Sequence, residues 1–477
     1  MPEESLSDVA NYLIDTVYHM TMNDVLMMIL SVLAIIDIIT IIAIIIIERK
    51  DFDKILAWSA IVIMIPFIGA LGYFIIGQRA LLYHQYTKKR ENEIKAESFF
   101  KADTGIPSLD SVTGISTSNR NCVMLFTDGK EMFSKLKEDI GSAERSVCME
   151  YYIVIGDDLG NSIIDALCRK AQEGLEIMLI GDGFGFRKLN DDCFRKMESS
   201  GVRFTFINRP SFHSLNPRTN NCDHRKIIVI DSRITYCSGL NVTDDYVGSG
   251  HLGYWRDSAV RIEGDISEHA LRRFMMTWAY AANTDIPQIR EEDFVFNGDV
   301  KVSLVYGGPD LRPNPVMEQY MQMIRSAKNE LLIETPYFNN VELVREVKRA
   351  AESGVDVKII IPGRPDHWFT FWNNYHAAKK AMGSGVRFYL YDEGFLHSKI
   401  VAVDGRLSSV GSANFDDRTA YFNFDANMMF HSESFSEKIV SIFNDDLDKC
   451  RQLDPREYDG LVAFIKVCIC GIVRPLA

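Results

Sequence analysis

What most constrains this chain is that its second half repeats the first. Ser200-Gly-Val-Arg-Phe204 recurs as Ser384-Gly-Val-Arg-Phe388, and Ile140-Gly-Ser-Ala143 as Ile324-Arg-Ser-Ala327, both at a shift of 184 positions. Glu150 matches Glu334 at the same shift. A period this long is far beyond any solenoid repeat and predicts two homologous domains. Each half alternates β-rich apolar runs with helical spacing. Residues 146–155 and 330–338 read as strands, 162–173 and 341–353 as helices ending before Gly174 and Gly354, and 175–180 and 355–361 as strands again. This β-α-β order predicts an α/β sandwich in each half, related by pseudo-two-fold symmetry. The expected bounds are 111–290 and 291–455, preceded by a polar linker over 77–110.

Within the duplication, His224-Arg-Lys226-x4-Asp231 precedes Asn241, and His397-Ser-Lys399-x4-Asp404 precedes Asn414. All intervals agree: His to Lys two, His to Asp seven, His to Asn seventeen. Chance gives such a triplet at roughly 6 in 100,000 start positions at ordinary residue usage, so two matched copies are not accidental. An apolar strand follows each Lys. On a strand, residues i and i+2 share a face, so imidazole and ammonium are presented side by side. A phosphate ester needs such a pair: a group titrating near neutrality to attack or protonate, and a fixed cation on the non-bridging oxygens. Asn241 and Asn414 add neutral donors, with Lys226 and Lys399, for phosphate. Asp231 and Asp404 complete the motif as candidate catalytic residues. They end the strand ahead of turn residues, which suits fixing the turn better than touching substrate. A nucleophilic His also needs its second nitrogen oriented, and each half supplies a carboxylate downstream, Asp257 and Asp425.

The amino-terminal region is apolar. Residues 25–47 and 55–76 can each span a hydrocarbon core of ~30 Å as helices rising ~1.5 Å per residue. They predict a two-helix transmembrane hairpin (25–76) after an acidic leader over 1–24. The leader has no Lys or Arg, which argues against a secretory signal peptide. Five basic residues follow the hairpin against three in its loop, a bias toward a cytoplasmic body. Asp37 lies mid-span and needs protonation, a partner or a protein-facing position. At the other end, residues 461–473 are apolar except Lys466. The run is too short to span, and the tail over 456–477 is expected to lie in the membrane interface.

The paired motifs resemble the phospholipase D superfamily. The wider context, including Glu150-Tyr-Tyr152, Trp255-Arg-Asp257, Arg261-Ile-Glu-Gly264, Thr335-Pro-Tyr-Phe338 and Asn414-Phe-Asp-Asp-Arg418, is similar to bacterial cardiolipin synthases. The chain departs from that pattern at Cys222, Ser238, Ala259 and Asp425. The resemblance implies an inner-membrane, multi-pass phosphatidyltransferase. It would join two phosphatidylglycerol molecules into cardiolipin and glycerol through a phosphohistidine on His224, with His397 as general acid. It also implies crossed orienters, Asp425 serving His224 and Asp257 serving His397. No metal or other cofactor is expected, because no His/Cys/Asp cluster has metal-ligand spacing and the lysines already supply positive charge.

The motifs alone leave other readings open. A membrane-tethered phospholipase using water would need the same residues, as would transfer to another alcohol. A nuclease is disfavoured by the apolar segment, the lack of basic-aromatic interleaving and a net charge of −13. A catalytically silent scaffold would not keep both motifs. Nine cysteines without a Cys-x2-Cys spacing fit free thiols in a reducing compartment. The sequence does not fix the oligomeric state.

Overall fold

A computed structural model describes residues 21–48, 52–74, 86–96, 99–208, 221–250, 252–289 and 296–457, together with 460, 466 and 470. The chain divides into an amino-terminal unit and a body.

In the amino-terminal unit, α1 (Met22–Ile47) starts on a capping box between Thr21 and Asp24. Its Ile and Leu side chains are mostly exposed, and it is long and apolar enough to cross a membrane. The second expected span is not one helix. It is broken into α2 (Phe52–Met64) and α3 (Ile68–Gly72). Pro66 lacks an N–H and Phe67 takes a left-handed φ of 62°, so the helical ladder cannot continue. Among the described residues α1 is therefore the one helix of spanning length, and the expectation of a multi-pass hairpin is corrected to that extent. Asp37 serves this break: its Oδ1 accepts the Phe67 N–H at 2.9 Å. The buried mid-span carboxyl thus has a backbone partner from the neighbouring segment.

The body is built on two sheets. The strands in chain order are β1 (Ile115–Ser118), β2 (Asn121–Phe126), β3 (Ser146–Tyr151), β4 (Glu176–Asp182), β5 (Arg203–Ile207), β6 (Cys222–Asp223), β7 (Lys226–Ile230), β8 (Ile234–Ser238), β9 (Trp255–Arg256) and β10 (Ala259–Gly264). They continue as β11 (Val302–Gly307), β12 (Glu330–Glu334), β13 (Asp356–Pro362), β14 (Arg387–Tyr391), β15 (Phe395–Leu396), β16 (Ile400–Val403), β17 (Leu407–Gly411), β18 (Asn423–Phe430) and β19 (Cys450–Gln452). One sheet runs β2-β10-β8-β7-β3-β4-β5, and the other β1-β11-β18-β17-β16-β12-β13-β14-β19. The inner orders β8-β7-β3-β4-β5 and β17-β16-β12-β13-β14 correspond strand for strand, as the repeat predicts. In each, two parallel pairs follow two antiparallel ones.

Helices cover these sheets because the strands are apolar on both faces. In β7, Ile227 and Val229 join a core shared by both sheets, while Ile228 and Ile230 join an outer core. The outer core of the first half lies under α5 (Gly129–Gly141), α6 (Asp158–Gln172) and α7 (Asp191–Ser200). The shared core includes α8 (Ile266–Ala282) and α12 (Glu433–Leu447). The second outer core lies under α9 (Pro315–Ser326), α10 (Val341–Glu352) and α11 (Trp368–Met382). Asp157 and Asn340 cap α6 and α10, and Gly174 and Gly354 follow them with the same φ of 95°.

Residues 87–96, in the stretch read as a linker, form α4 (Thr87–Ala96). Its Lys89 is buried against Asp310 Oδ2 at 2.7 Å and Glu93 Oε1 at 3.1 Å, and Glu93 also binds Arg273. Burial opposes the charge on Lys89, but Asp310 and Glu93 outweigh it and hold its pKa above the ordinary value. The apolar tail lies almost wholly outside the described residues, although Lys466 Nζ stands 4.9 Å from the centre of the Trp372 ring on α11.

Candidate active site

The strand registers bring both motifs to one end of the sheets. β3 and β7 are antiparallel with Tyr151 opposite Lys226, so His224 lies at the carboxyl-terminal end of β3. Glu334 opposite Ile400 puts His397 at the matching end of β12. The two ends are tied together by backbone. His224 N–H donates to Phe424 O at 2.8 Å, and His397 N–H donates to Arg256 O at 2.7 Å. The parallel pairs β6–β18 and β9–β15 extend these contacts across the halves.

The crossing delivers each carboxylate to the other half's histidine. His224 Nδ1 is 2.9 Å from Asp425 Oδ1, and His397 Nδ1 is 2.6 Å from Asp257 Oδ2. A proton on Nδ1 directed to the carboxylate leaves Nε2 with its lone pair, the tautomer a nucleophile or general base requires. Ser412 Oγ and Thr419 Oγ1 donate to Asp425 at 2.7 and 3.1 Å, while Asp257 accepts the Ser258 N–H at 2.7 Å.

Both lysines are buried and fold back on their own motifs. Lys226 Nζ donates to His224 O at 2.7 Å, and Lys399 Nζ donates to His397 O and stands 2.7 Å from His397 Nδ1. Burial brings the Lys226 ammonium down to about 7, with repulsion from Lys399 adding to it. Burial brings Lys399 down to about 8, against the attraction of Asp257 and Asp425. Burial also lowers His224 to about 4, reinforced by Lys226 and opposed by Asp425. His397 falls to about 4 for the same reasons, with Lys399 and Asp257 in the corresponding places. A site that disfavours its own cations is poised to accept a phosphate anion, which stabilises them. Asn241 and Asn414 are buried beside this cluster, and the Oδ1 of each has no hydrogen-bond partner among the described residues. Asn241 Nδ2 donates to Tyr246 OH at 2.9 Å.

The motif aspartates do not join this cluster. Asp231 and Asp404 lie at the opposite ends of β7 and β16, seven residues from their histidines, which is ~20 Å along an extended chain. Asp231 accepts the N–H groups of Glu144, Arg145 and Ser146 at 2.8–2.9 Å. Asp404 accepts those of Lys328, Asn329 and Glu330 at 2.7–2.9 Å. Both have left-handed φ, 53° and 51°. Each therefore clamps the turn that enters β3 or β12, which fits the turn-fixing role that their place at the strand end suggests.

Three groups at the site were not found by sequence reasoning. Tyr246 OH lies 3.3 Å from His397 Nδ1, and its ring packs against Trp255. Thr419 and Ser412 hold Asp425. Tyr246 and Thr419 both stand five residues beyond their motif Asn, but the residue types differ, so the repeat does not reveal them. His397 sits among the rings of Tyr246, Trp255 and Phe395, whereas His224 meets Tyr152 at a centroid distance of 5.0 Å.

Behind the histidines lie two buried ion networks. Glu150 Oε1 pairs with Arg225 Nη2 at 2.8 Å, and Arg225 Nε also donates to Asp223 at 2.7 Å. Glu334, the counterpart of Glu150, instead faces Arg256 of the other half at 3.5 Å. At the position matching Arg256 the second half has Phe424, and Arg225 stacks 5.0 Å from its ring centre. The arginine lost at Phe424 is replaced from within the first motif, where the second motif carries Ser398.

The chain matches the family model described as "Cardiolipin synthase, PLD-like domain" over residues 136–278 and 320–447. It matches a phospholipase D-nuclease N-terminal model over 29–78. It is 32% identical to cardiolipin synthase 1 of Staphylococcus epidermidis, covering 88% of this chain and 91% of that protein. It is 31% identical to the major cardiolipin synthase of Bacillus subtilis, covering 88% and 92%. Among solved structures it shares its fold with phosphatidylserine synthase of Haemophilus influenzae, with a TM-score of 0.59 at 14% identity, covering 82% of this chain and 100% of that one.

Proposed function

From its membership of the phospholipase D-like cardiolipin synthase family, to which this chain belongs, we propose that it transfers a phosphatidyl group from one phosphatidylglycerol to another. The observation that supports this best is the crossed pair of His–Asp contacts, which brings two histidines and two lysines from different halves into one buried cluster. His224 Nε2 attacks phosphorus, forming a P–N bond as the P–O bond to glycerol breaks. His397 gives its Nε2 proton to the departing glycerol oxygen. Lys226, Lys399 and the Asn241 and Asn414 amides hold the non-bridging oxygens, where charge builds in the transition state. A hydroxyl of the second phosphatidylglycerol then attacks phosphorus, its proton returns to His397, and the P–N bond breaks. Cardiolipin and glycerol leave, and both histidines are restored.

In this reading the enzyme works on the plasma membrane, anchored through α1, with its body in the cytoplasm. The free, largely buried cysteines of the body fit that compartment. The test is purified protein with phosphatidylglycerol alone. Cardiolipin and glycerol should appear in equal amounts, and acid-labile label from the phosphatidyl group should be trapped on His224. Phosphatidic acid in place of cardiolipin would make the protein a hydrolase. Label on His397 would reverse the two histidine roles.

A further inference from the structure

Three of the exposed apolar residues of the body, Phe184, Val341 and Trp368, fall at one end of the sheets. Phe184 is 54% exposed and Trp368 58%. Phe184 follows β4 and Trp368 follows β13, the equivalent parallel strands of the two halves. Gly181 pairs with Tyr151, and Ile360 with Glu334, so both loops leave the sheets at the end where the histidines lie. Val341, also exposed, begins α10 at the same end, after β12.

These loops are bound to the site. Asp182, at the foot of the first loop, accepts the N–H groups of Phe184 and Gly185 at 2.9 and 3.1 Å and that of Asp223, next to His224, at 2.8 Å. Asp366, at the foot of the second, takes the Tyr337 hydroxyl at 2.5 Å; burial raises its carboxyl, but Tyr337, His367 and, last, His397 outweigh this and hold it below the ordinary value. Cations accompany the apolar tips. Arg187 stacks 4.7 Å from the Phe184 ring centre, and Lys188 and Arg364 are exposed. Of the nearby carboxylates, Asp192 pairs with Arg195, and Asp366 lies 3.1 Å from His367 Nδ1. A chain of net charge −13 therefore carries an aromatic rim with exposed cations beside its site.

We propose that this rim, comprising Phe184, Arg187 and Lys188 in one half and Val341, Arg364 and Trp368 in the other, is a docking surface for an anionic lipid bilayer. The inference rests on the reading that the substrate is a phospholipid. Aromatic rings settle at the headgroup–acyl boundary, and Lys and Arg reach the phosphates above it. Docked in this way, the histidine site opens toward the layer that supplies both donor and acceptor, and water reaches the phosphohistidine less readily than a second lipid does.

The test uses the full chain reconstituted in phosphatidylglycerol vesicles and, separately, supplied with short-chain phosphatidylglycerol below its micelle concentration. The Phe184→Ser, Trp368→Ser double variant should lose roughly tenfold of its transfer on vesicles, the scale of exposing one buried aromatic. It should stay within about twofold of wild type on the monomeric lipid. Brominated acyl chains should quench the emission that wild type shows in excess of Trp368→Phe. Equal loss on both substrates would make these residues part of the substrate pocket and overturn the proposal. No loss on either, with Trp368 unquenched, assigns the rim to another occupant and also overturns it. Quenching without phosphatidyl transfer by wild type on either lipid would sink the transferase reading and leave the docking surface standing.

Discussion

Gly239 makes the crossed orientation testable by one methyl group. It stands two residues before Asn241, where the second half has Ser412 two residues before Asn414. A Cβ at Gly239 would lie 2.8 Å from the Asp257 carboxylate carbon and closer still to Oδ1. Ordinary carbon–carbon contact is ~3.5–4.0 Å, so in Gly239→Ala the carboxylate must retreat by about 1 Å. The obstructing atoms belong to a side-chain tip, so the side chain moves and the backbone stays. The 2.6 Å contact to His397 Nδ1 then opens to the limit of hydrogen bonding. A hydrogen bond to a charged partner contributes about 1.5–3 kcal/mol, which corresponds to about one to two decades in rate. Gly239→Ala should therefore lose roughly 10–100-fold in kcat, with overpacking costing no more than about 1–3 kcal/mol of stability. Ser412→Gly removes one donor to Asp425 and should cost only about fivefold. The assay is cardiolipin formation from labelled phosphatidylglycerol, normalised to folded protein by thermal melting. Gly239→Ala within threefold of wild type, with an unchanged melting curve, would refute the claim that Asp257 works through His397.

Asp404→Ala should lower stability by about 2–3 kcal/mol through three lost N–H contacts, leaving kcat per folded molecule within about twofold. Burial raises the Asp404 carboxyl, but its backbone donors outweigh this and hold it below the ordinary value. Its contribution is therefore present above the unfolded pKa and disappears as pH falls through the folded one, so the mutant and wild-type melting curves should converge below about pH 4. A kcat collapse with intact stability would return the motif aspartate to the chemistry. Arg225→Ser strands Glu150 in the core and should cost about 3–5 kcal/mol. Adding Phe424→Arg copies the arrangement around Glu334 and should recover part of it, and a double variant no more stable than the single one contradicts the exchange. Sulfate, a dianion throughout the range, should inhibit more tightly as pH falls from 9 to 6, because it favours the ammonium forms of Lys226 and Lys399, which lie at about 7 and 8 without it. A pH-independent inhibition constant would show that those lysines do not meet the anion.

The sequence carried the duplication, the strand–helix order and the residues of the histidine–lysine cluster, because repeats and apolar periods survive in one dimension. Side-chain direction did not. Asp231 and Asp404 belong to the same motif as the histidines, yet a strand of five or so residues carries them to the far turn. Lys89 and Glu93 fall in the charged stretch expected as a linker, and only Asp310 and Arg273, far away in sequence, reveal them as buried. Pro66 marks in the sequence where the second apolar run must bend, but the left-handed φ of Phe67 that turns the bend into a break does not show there. Asp37, an oddity on its own helix, makes sense only against that break.

The differences between the halves bear on how a duplicated fold does two jobs at once. In double displacement, one imidazole must be a nucleophile while the other holds a proton. A symmetric pair gives no reason for either choice. Here the Nε2 ends are equivalent in the motif, so the distinction has to arise at Nδ1 and behind it. His224 Nδ1 meets Asp425, which is held by the hydroxyls of Ser412 and Thr419. His397 Nδ1 meets Asp257, the Lys399 ammonium and the Tyr246 hydroxyl together. That nitrogen has either one proton to give or one lone pair to receive with. The second histidine therefore has competing partners for its Nδ1, whereas among the described residues the first meets Asp425 alone. Tyr246→Phe removes one competitor without moving the carboxylate. On this reasoning it should shift the acidic limb of the rate profile through His397 while leaving phosphohistidine formation at His224 dependent on the same Asp425.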